Sequence, residues 1–223
     1  KHTSTNKVTL TIMGTGTVDN VSHGKGAVYN DAGATCTILG GNYTRSQENG
    51  QSDSDSGGNS WYAIKNFGTM TIGQEGASND AVKVSFTGKY SSLVANGWQD
   101  GKTAGNTNKE PAHVQDAQLT IHSGTFTGGI NTIKNYDYGN LTITGGVFEN
   151  VAHYAVMNWN TASISGGTFH SDERAVVNCG NSNLSMDKGE LTISGGSFSG
   201  TNGSVSRTTD AAAPQITGGT FSS

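Results

Sequence analysis

Apolar and polar residues alternate in short runs along this chain, and the runs recur in a fixed order. Leu141-Thr142-Ile143-Thr144 leads into Gly145-Gly146 and then Val147-Phe148. The same order returns at Leu119-Thr120-Ile121, Ala162-Ser163-Ile164, Leu191-Thr192-Ile193 and Gln215-Ile216, each closed a few residues later by Phe. Side chains alternate across a strand with a period of two, so Leu and Ile share the inner face and Thr the outer one. Phe126, Phe148, Phe169, Phe198 and Phe221 are 22, 21, 29 and 23 residues apart. A unit of that length cannot bury its apolar face alone, and a repeat of it predicts a solenoid in which each coil covers the next.

A second motif precedes each Leu-Thr-Ile run: Ala27-Val28-Tyr29-Asn30, Ala63-Ile64-Lys65-Asn66, Leu93-Val94-Ala95-Asn96, Thr132-Ile133-Lys134-Asn135, Ala155-Val156-Met157-Asn158 and Ala175-Val176-Val177-Asn178. Each coil is thus expected to hold three short strands: one ending in Asn, one carrying Ile, one carrying Phe. The prediction is an all-β chain, a single parallel β-helix domain of about eight coils over residues 1–223. Its Ile column should be Ile12, Ile38, Ile72, Ile121, Ile143, Ile164, Ile193 and Ile216. An Asn recurring at one corner fits amides bonded to each other up the stack, since an amide both donates and accepts. The Gly pairs mark corners. On this register Cys36 and Cys179 lie several layers apart, beyond disulfide reach, and are expected as free thiols.

Composition narrows the function classes. Of 223 residues 33 are Gly and only 2 Pro, and the glycines recur at corners rather than scattering as in a disordered chain. With a net charge of −4 and 13% charged residues there is no basic stripe for a phosphate backbone, so nucleic acid is not an expected partner. No apolar run is long enough to span a bilayer. The chain reads as a monomeric module of a larger secreted protein. Longer insertions break the repeat around 44–60, 73–83, 97–118 and 180–190, and loops on a stiff scaffold are where binding usually resides.

The strand ending in Asn places Tyr29, Lys65, Lys134 and Met157 at its outward position. Trp61, Tyr62, Phe67, Trp98, Tyr136, Tyr138, Tyr154 and Trp159 flank it. Rings beside amines and hydroxyls suit a sugar, whose apolar ring faces stack while its edges hydrogen-bond, so this face and the two longest loops are the expected ligand site. Asp53, Asp55 and Asn59, next to two glycines, resemble half of a calcium loop without the closing glutamate. No other cofactor is implied. Asp172-Glu173-Arg174, with His153 and His170 in reach, is the one charged cluster to weigh for acid–base chemistry, and it reads as a solvated turn. Paired outward Thr at 9/11, 35/37, 69/71 and 142/144 would suit an ice-binding face, but Gln118, His122, Asn140, Glu190 and Gln215 interrupt it.

The Leu-Thr-Ile-x-Gly-Gly-x-Phe repeat, in copies over most of residues 8–223, resembles the pectate-lyase-like right-handed β-helix modules of secreted and cell-wall-anchored proteins of Gram-positive bacteria. The resemblance implies a right-handed coil, the hand usual for parallel crossovers. It also implies an extracellular location and either polysaccharide lyase or glycosidase activity or non-catalytic binding of glycans or host proteins. The lyases' calcium-binding aspartates and basic residue have no counterparts at matching positions here. The reading is therefore a surface adhesin module for a glycan or host protein, with enzyme and purely structural stalk as alternatives.

Overall fold

The computed structural model describes residues 8–21, 26–45, 62–86, 92–97, 116–180 and 189–223. Each coil lays down its strands in turn. The first three coils are β1 (Thr9–Ile12), β2 (Thr17–Asp19) and β3 (Val28–Asn30); β4 (Thr35–Ile38), β5 (Gly41–Thr44) and β6 (Ile64–Asn66); and β7 (Thr69–Ile72), β8 (Val82–Phe86) and β9 (Val94–Asn96). The next three are β10 (Ala117–Ile121), β11 (Thr125–Gly128) and β12 (Asn131–Asn135); β13 (Gly139–Ile143), β14 (Val147–Asn150) and β15 (Tyr154–Asn158); and β16 (Thr161–Ile164), β17 (Thr168–Ser171) and β18 (Arg174–Asn178). The seventh holds β19 (Glu190–Ile193), β20 (Ser197–Gly200) and β21 (Val205–Arg207), and the eighth β22 (Gln215–Ile216) and β23 (Thr220–Ser222).

Every third strand joins the same sheet, which makes a right-handed parallel β-helix with three sides. Sheet A runs β1-β4-β7-β10-β13-β16-β19-β22, sheet B runs β2-β5-β8-β11-β14-β17-β20-β23, and sheet C has seven strands from β3 to β21. The register on sheet A stacks all eight expected isoleucines, from Ile12 on Ile38 to Ile193 on Ile216. Side chains in the middle of that column are fully buried. On sheet B, Phe126, Phe148, Phe169, Phe198 and Phe221 stack with centroids 4.9, 4.7, 4.8 and 5.1 Å apart and ring planes within 9°. That spacing is set by the strand separation of about 4.8 Å, so the rings follow the backbone pitch. Tyr43, Val84 and Val18 continue the column below them.

The corners explain the glycine pairs. A Cβ on Gly166 would lie 2.3 Å from the Thr144 carbonyl oxygen of the coil below, and Gly167 has φ of +104°, so each position excludes side chains for a different reason. At the corner between sheets C and A the asparagines form the expected ladder. Asn30 donates to Asn66, Asn66 to Asn96, Asn96 to Asn135, Asn135 to Asn158 and Asn158 to Asn178, all between 2.7 and 2.8 Å. Each amide nitrogen also reaches a backbone carbonyl near the start of a sheet A strand, as Asn96 does at Asn140 and Asn158 at Glu190, so polar groups buried by stacking are satisfied. Cys36 replaces Leu in the inner column of sheet A and Cys179 follows Asn178; both are buried free thiols.

Candidate functional site

The three sides carry different outer surfaces. Sheet A presents Thr11, Thr37, Thr71, Thr120, Thr142, Ser163 and Thr192 in one register column. Sheet B presents Asp19, Thr44, Ser85, Thr127, Glu149, His170 and Ser199 in its own. Sheet C presents Tyr29, Lys65, Ala95, Lys134, Met157, Val177 and Ser206. The described aromatic residues that are not on sheet B all lie on sheet C strands or in the turns adjoining them.

Sheet C brings several expected residues together. The Lys65 ammonium lies 5.1 Å from the Tyr62 ring centroid and 5.8 Å from that of Phe67, within the range of a cation–π contact. Tyr29 meets Phe67 edge to face at 5.3 Å. The Lys134 ammonium lies 4.7 Å from the Tyr136 ring, and the hydroxyls of Tyr62 and Tyr136 share a short hydrogen bond. The turn register adds order to these contacts. The backbone N–H of the residue after each ladder Asn donates to the ladder Asn carbonyl one coil below, which places Phe67, Tyr136 and Trp159 in one column.

Burial divides this group. Tyr62, Tyr136, Lys134 and Ala95 are buried, so the row does not form a continuous open ribbon; small Ala95 lets the two tyrosines close over it. Tyr29 is 59% exposed, and Lys65, Tyr138, Tyr154 and Trp159 are partly exposed. Tyr154 packs on His153 with ring centroids 5.2 Å apart. Trp61, Trp98 and the suggested calcium ligands Asp53, Asp55 and Asn59 lie outside the described residues.

Burial also sets the charge states. Desolvation lowers the Lys65 ammonium's pKa, with the nearby Arg45 cation adding to the effect. Desolvation pushes Tyr62 well above the usual phenol value, helped by Tyr136. Tyr29 is raised as well, by partial burial and by Asp31. Lys65 is thus a cation held against two rings and short of water, a state in which an added anion or hydroxyl would be bound more strongly than on an open surface.

Two features escaped the sequence reading. Arg45, directly after β5, is fully buried with its guanidinium 5.8 Å from the Phe86 ring. Nothing in a repeat pattern signals a buried arginine at a coil corner. The second is an open cleft of about 360 Å³ between the corners of the first three coils, lined by Thr15, Leu39, Asn42, Asp80 and Lys83. The insertion after β7 builds one wall, and its length was legible even though its chemistry was not. Among charged groups, His170 lies 3.7 Å from Asp172 and 2.9 Å from the Ser199 hydroxyl, and Arg174 lies 4.0 Å from Glu173; all are well solvated. Among the described residues no three His, Cys, Asp or Glu side chains are grouped to hold a metal ion.

Comparison with protein-family models, with curated proteins and with solved structures gives no match for this chain. The geometry is what any functional reading has to stand on.

Proposed function

We propose that this chain is a binding module of a bacterial cell-surface or secreted protein, an adhesin that takes a glycan or a host protein on its sheet C side. One observation carries the reading: among the described residues, the aromatic side chains outside the core-facing side of sheet B sort to sheet C and its turns, while sheet A presents small hydroxyls and sheet B a mixture of hydroxyls and charged groups. Thr and Ser suit any exposed strand. Exposed Tyr29, beside Lys65 in the sheet C register, and partly exposed Trp159 give ring faces for stacking and donors for hydroxyls, which is the chemistry of sugar recognition and of many protein hot spots. The resemblance of the repeat to pectate-lyase-like β-helix modules is what suggests an extracellular, Gram-positive setting for such a module.

A screen of immobilised host and plant glycans and host surface proteins tests this. Binding is expected, and Tyr29→Ala and Trp159→Ala should each weaken it about tenfold, the loss of roughly 1.4 kcal/mol that one ring contact supplies. Thr142→Ala on sheet A should leave it unchanged. Loss of binding with Thr142→Ala but not with the ring variants would overturn the assignment. Release of unsaturated sugar from polygalacturonate would replace the adhesin with a lyase.

A further inference from the structure

Two positions of the third coil are small where their columns carry lysines and rings. In the outer row of sheet C, Ala95 stands between Lys65 and Lys134. In the turn column beside it Gly97 stands between Phe67 and Tyr136, since the Gly97 N–H donates to the Asn66 carbonyl and the Tyr136 N–H to the Asn96 carbonyl. Tyr62, just before β6, and Tyr136, just after β12, close into that gap. Their rings meet edge to face, with centroids 6.2 Å apart and planes at 87°, and their hydroxyls are hydrogen-bonded although the residues are 74 apart in sequence. Both rings are buried, and they pack with Ala95 in a small cluster of their own.

We propose that Tyr62 and Tyr136 are an oxidative cross-linking site, at which hydrogen peroxide acting through a haem peroxidase joins the two rings as dityrosine. A phenoxyl radical carries much of its spin on the carbons next to the oxygen-bearing one, so two phenols whose hydroxyls touch hold the coupling carbons close together. Each hydroxyl gives up one hydrogen atom, the two carbons form one C–C bond, and the proton displaced from each carbon moves to its own oxygen and restores the phenol. One hydrogen peroxide takes up the two hydrogen atoms and leaves as two waters. Tyr136 is not wholly covered, and the electrons and protons depart on its side. Burial holds the rings against each other rather than against other molecules, which makes the coupling intramolecular. Tyr29, by contrast, is exposed and touches Phe67, which has no hydroxyl, so a radical there is open to a second copy. The new bond would tie the second coil to the fourth in a chain whose two cysteines are unpaired. It restricts the unfolded chain as a disulfide does.

Treating the dilute folded chain with a haem peroxidase and limiting hydrogen peroxide tests this. The expected product is a monomer lighter by two hydrogen atoms, with dityrosine fluorescence, in which tryptic peptides 46–65 and 135–174 are joined through Tyr62 and Tyr136. Its urea midpoint should lie above that of the untreated chain. Tyr136→Phe keeps the ring and removes the hydroxyl; it should lose the link while its circular dichroism spectrum stays unchanged. Tyr43→Phe, in the sheet B column, should retain the link. Absence of the joined peptide from the treated folded chain overturns the proposal, as does the same link forming in Tyr136→Phe. A joined chain whose midpoint does not rise overturns the stapling role.

Discussion

At Asn96 one side chain makes three bonds: its oxygen accepts from Asn66, and its nitrogen donates to Asn135 and to the Asn140 carbonyl. Neither Gln nor Asp could replace it, the first because its reach is longer and the second because a carboxylate offers no donor. Tyr62 shows the same dependence of a residue on its surroundings, here through ionisation. Its folded pKa is raised by burial above the unfolded value near 10, so its contribution is whole below pH 10 and is lost as pH rises through the raised value. Lys65 runs the other way: its lowered pKa makes folding less favourable at neutral pH, and the cost fades as pH climbs towards 10.5. Urea midpoints measured from about pH 9 to 11 should therefore fall less in Tyr62→Phe than in the unmodified protein, Lys65 being common to both. Parallel curves for the two proteins would mean that Tyr62 ionises freely in the fold.

At the scale of the coil, strand and corner are specified by different signals. The alternation in Leu141-Thr142-Ile143 fixes which face is inside, and the structure shows Leu141 and Ile143 buried with Thr142 exposed between them. The corner is fixed by close approach. Gly166→Ala drives a methyl into the Thr144 carbonyl, whereas Gly16, with open space around it and ordinary backbone, should accept Ala. Thermal unfolding should show a loss of about 1 to 3 kcal/mol for the first and little change for the second. Equal losses would mean that the corners are held by something other than backbone contact. This division explains what the sequence disclosed. Ile, Phe and Asn columns were legible because a solenoid stacks like on like, so sequence spacing converts directly into contact. The sheet C site was only half legible. Spacing placed Tyr29, Lys65 and Lys134 in one row, but it could not reveal that Ala95 leaves room for Tyr62 and Tyr136 to meet and bury themselves. Nor does a repeat announce Arg45, whose burial depends on the neighbouring coil's Phe86.

For the molecule as a whole, the stack is one continuous core, since a single cluster of buried residues runs from Val28 to Phe198. A rigid, narrowly patterned rod leaves function to whatever departs from the pattern, here above all the ring-rich side. That reading requires that the inner columns be real. Ile143 is the fifth of eight residues in its column, with Ile121 below it and Ile164 above, while its neighbour Thr142 is exposed. The most direct measurement is the urea midpoint of Ile143→Asp beside that of Thr142→Asp. An unpaired carboxylate inside the apolar column should cost several kcal/mol and separate the coils on either side, whereas the same group one residue earlier should cost well under 1 kcal/mol. Midpoints that fall together, or a Thr142 variant that falls further, would contradict the account.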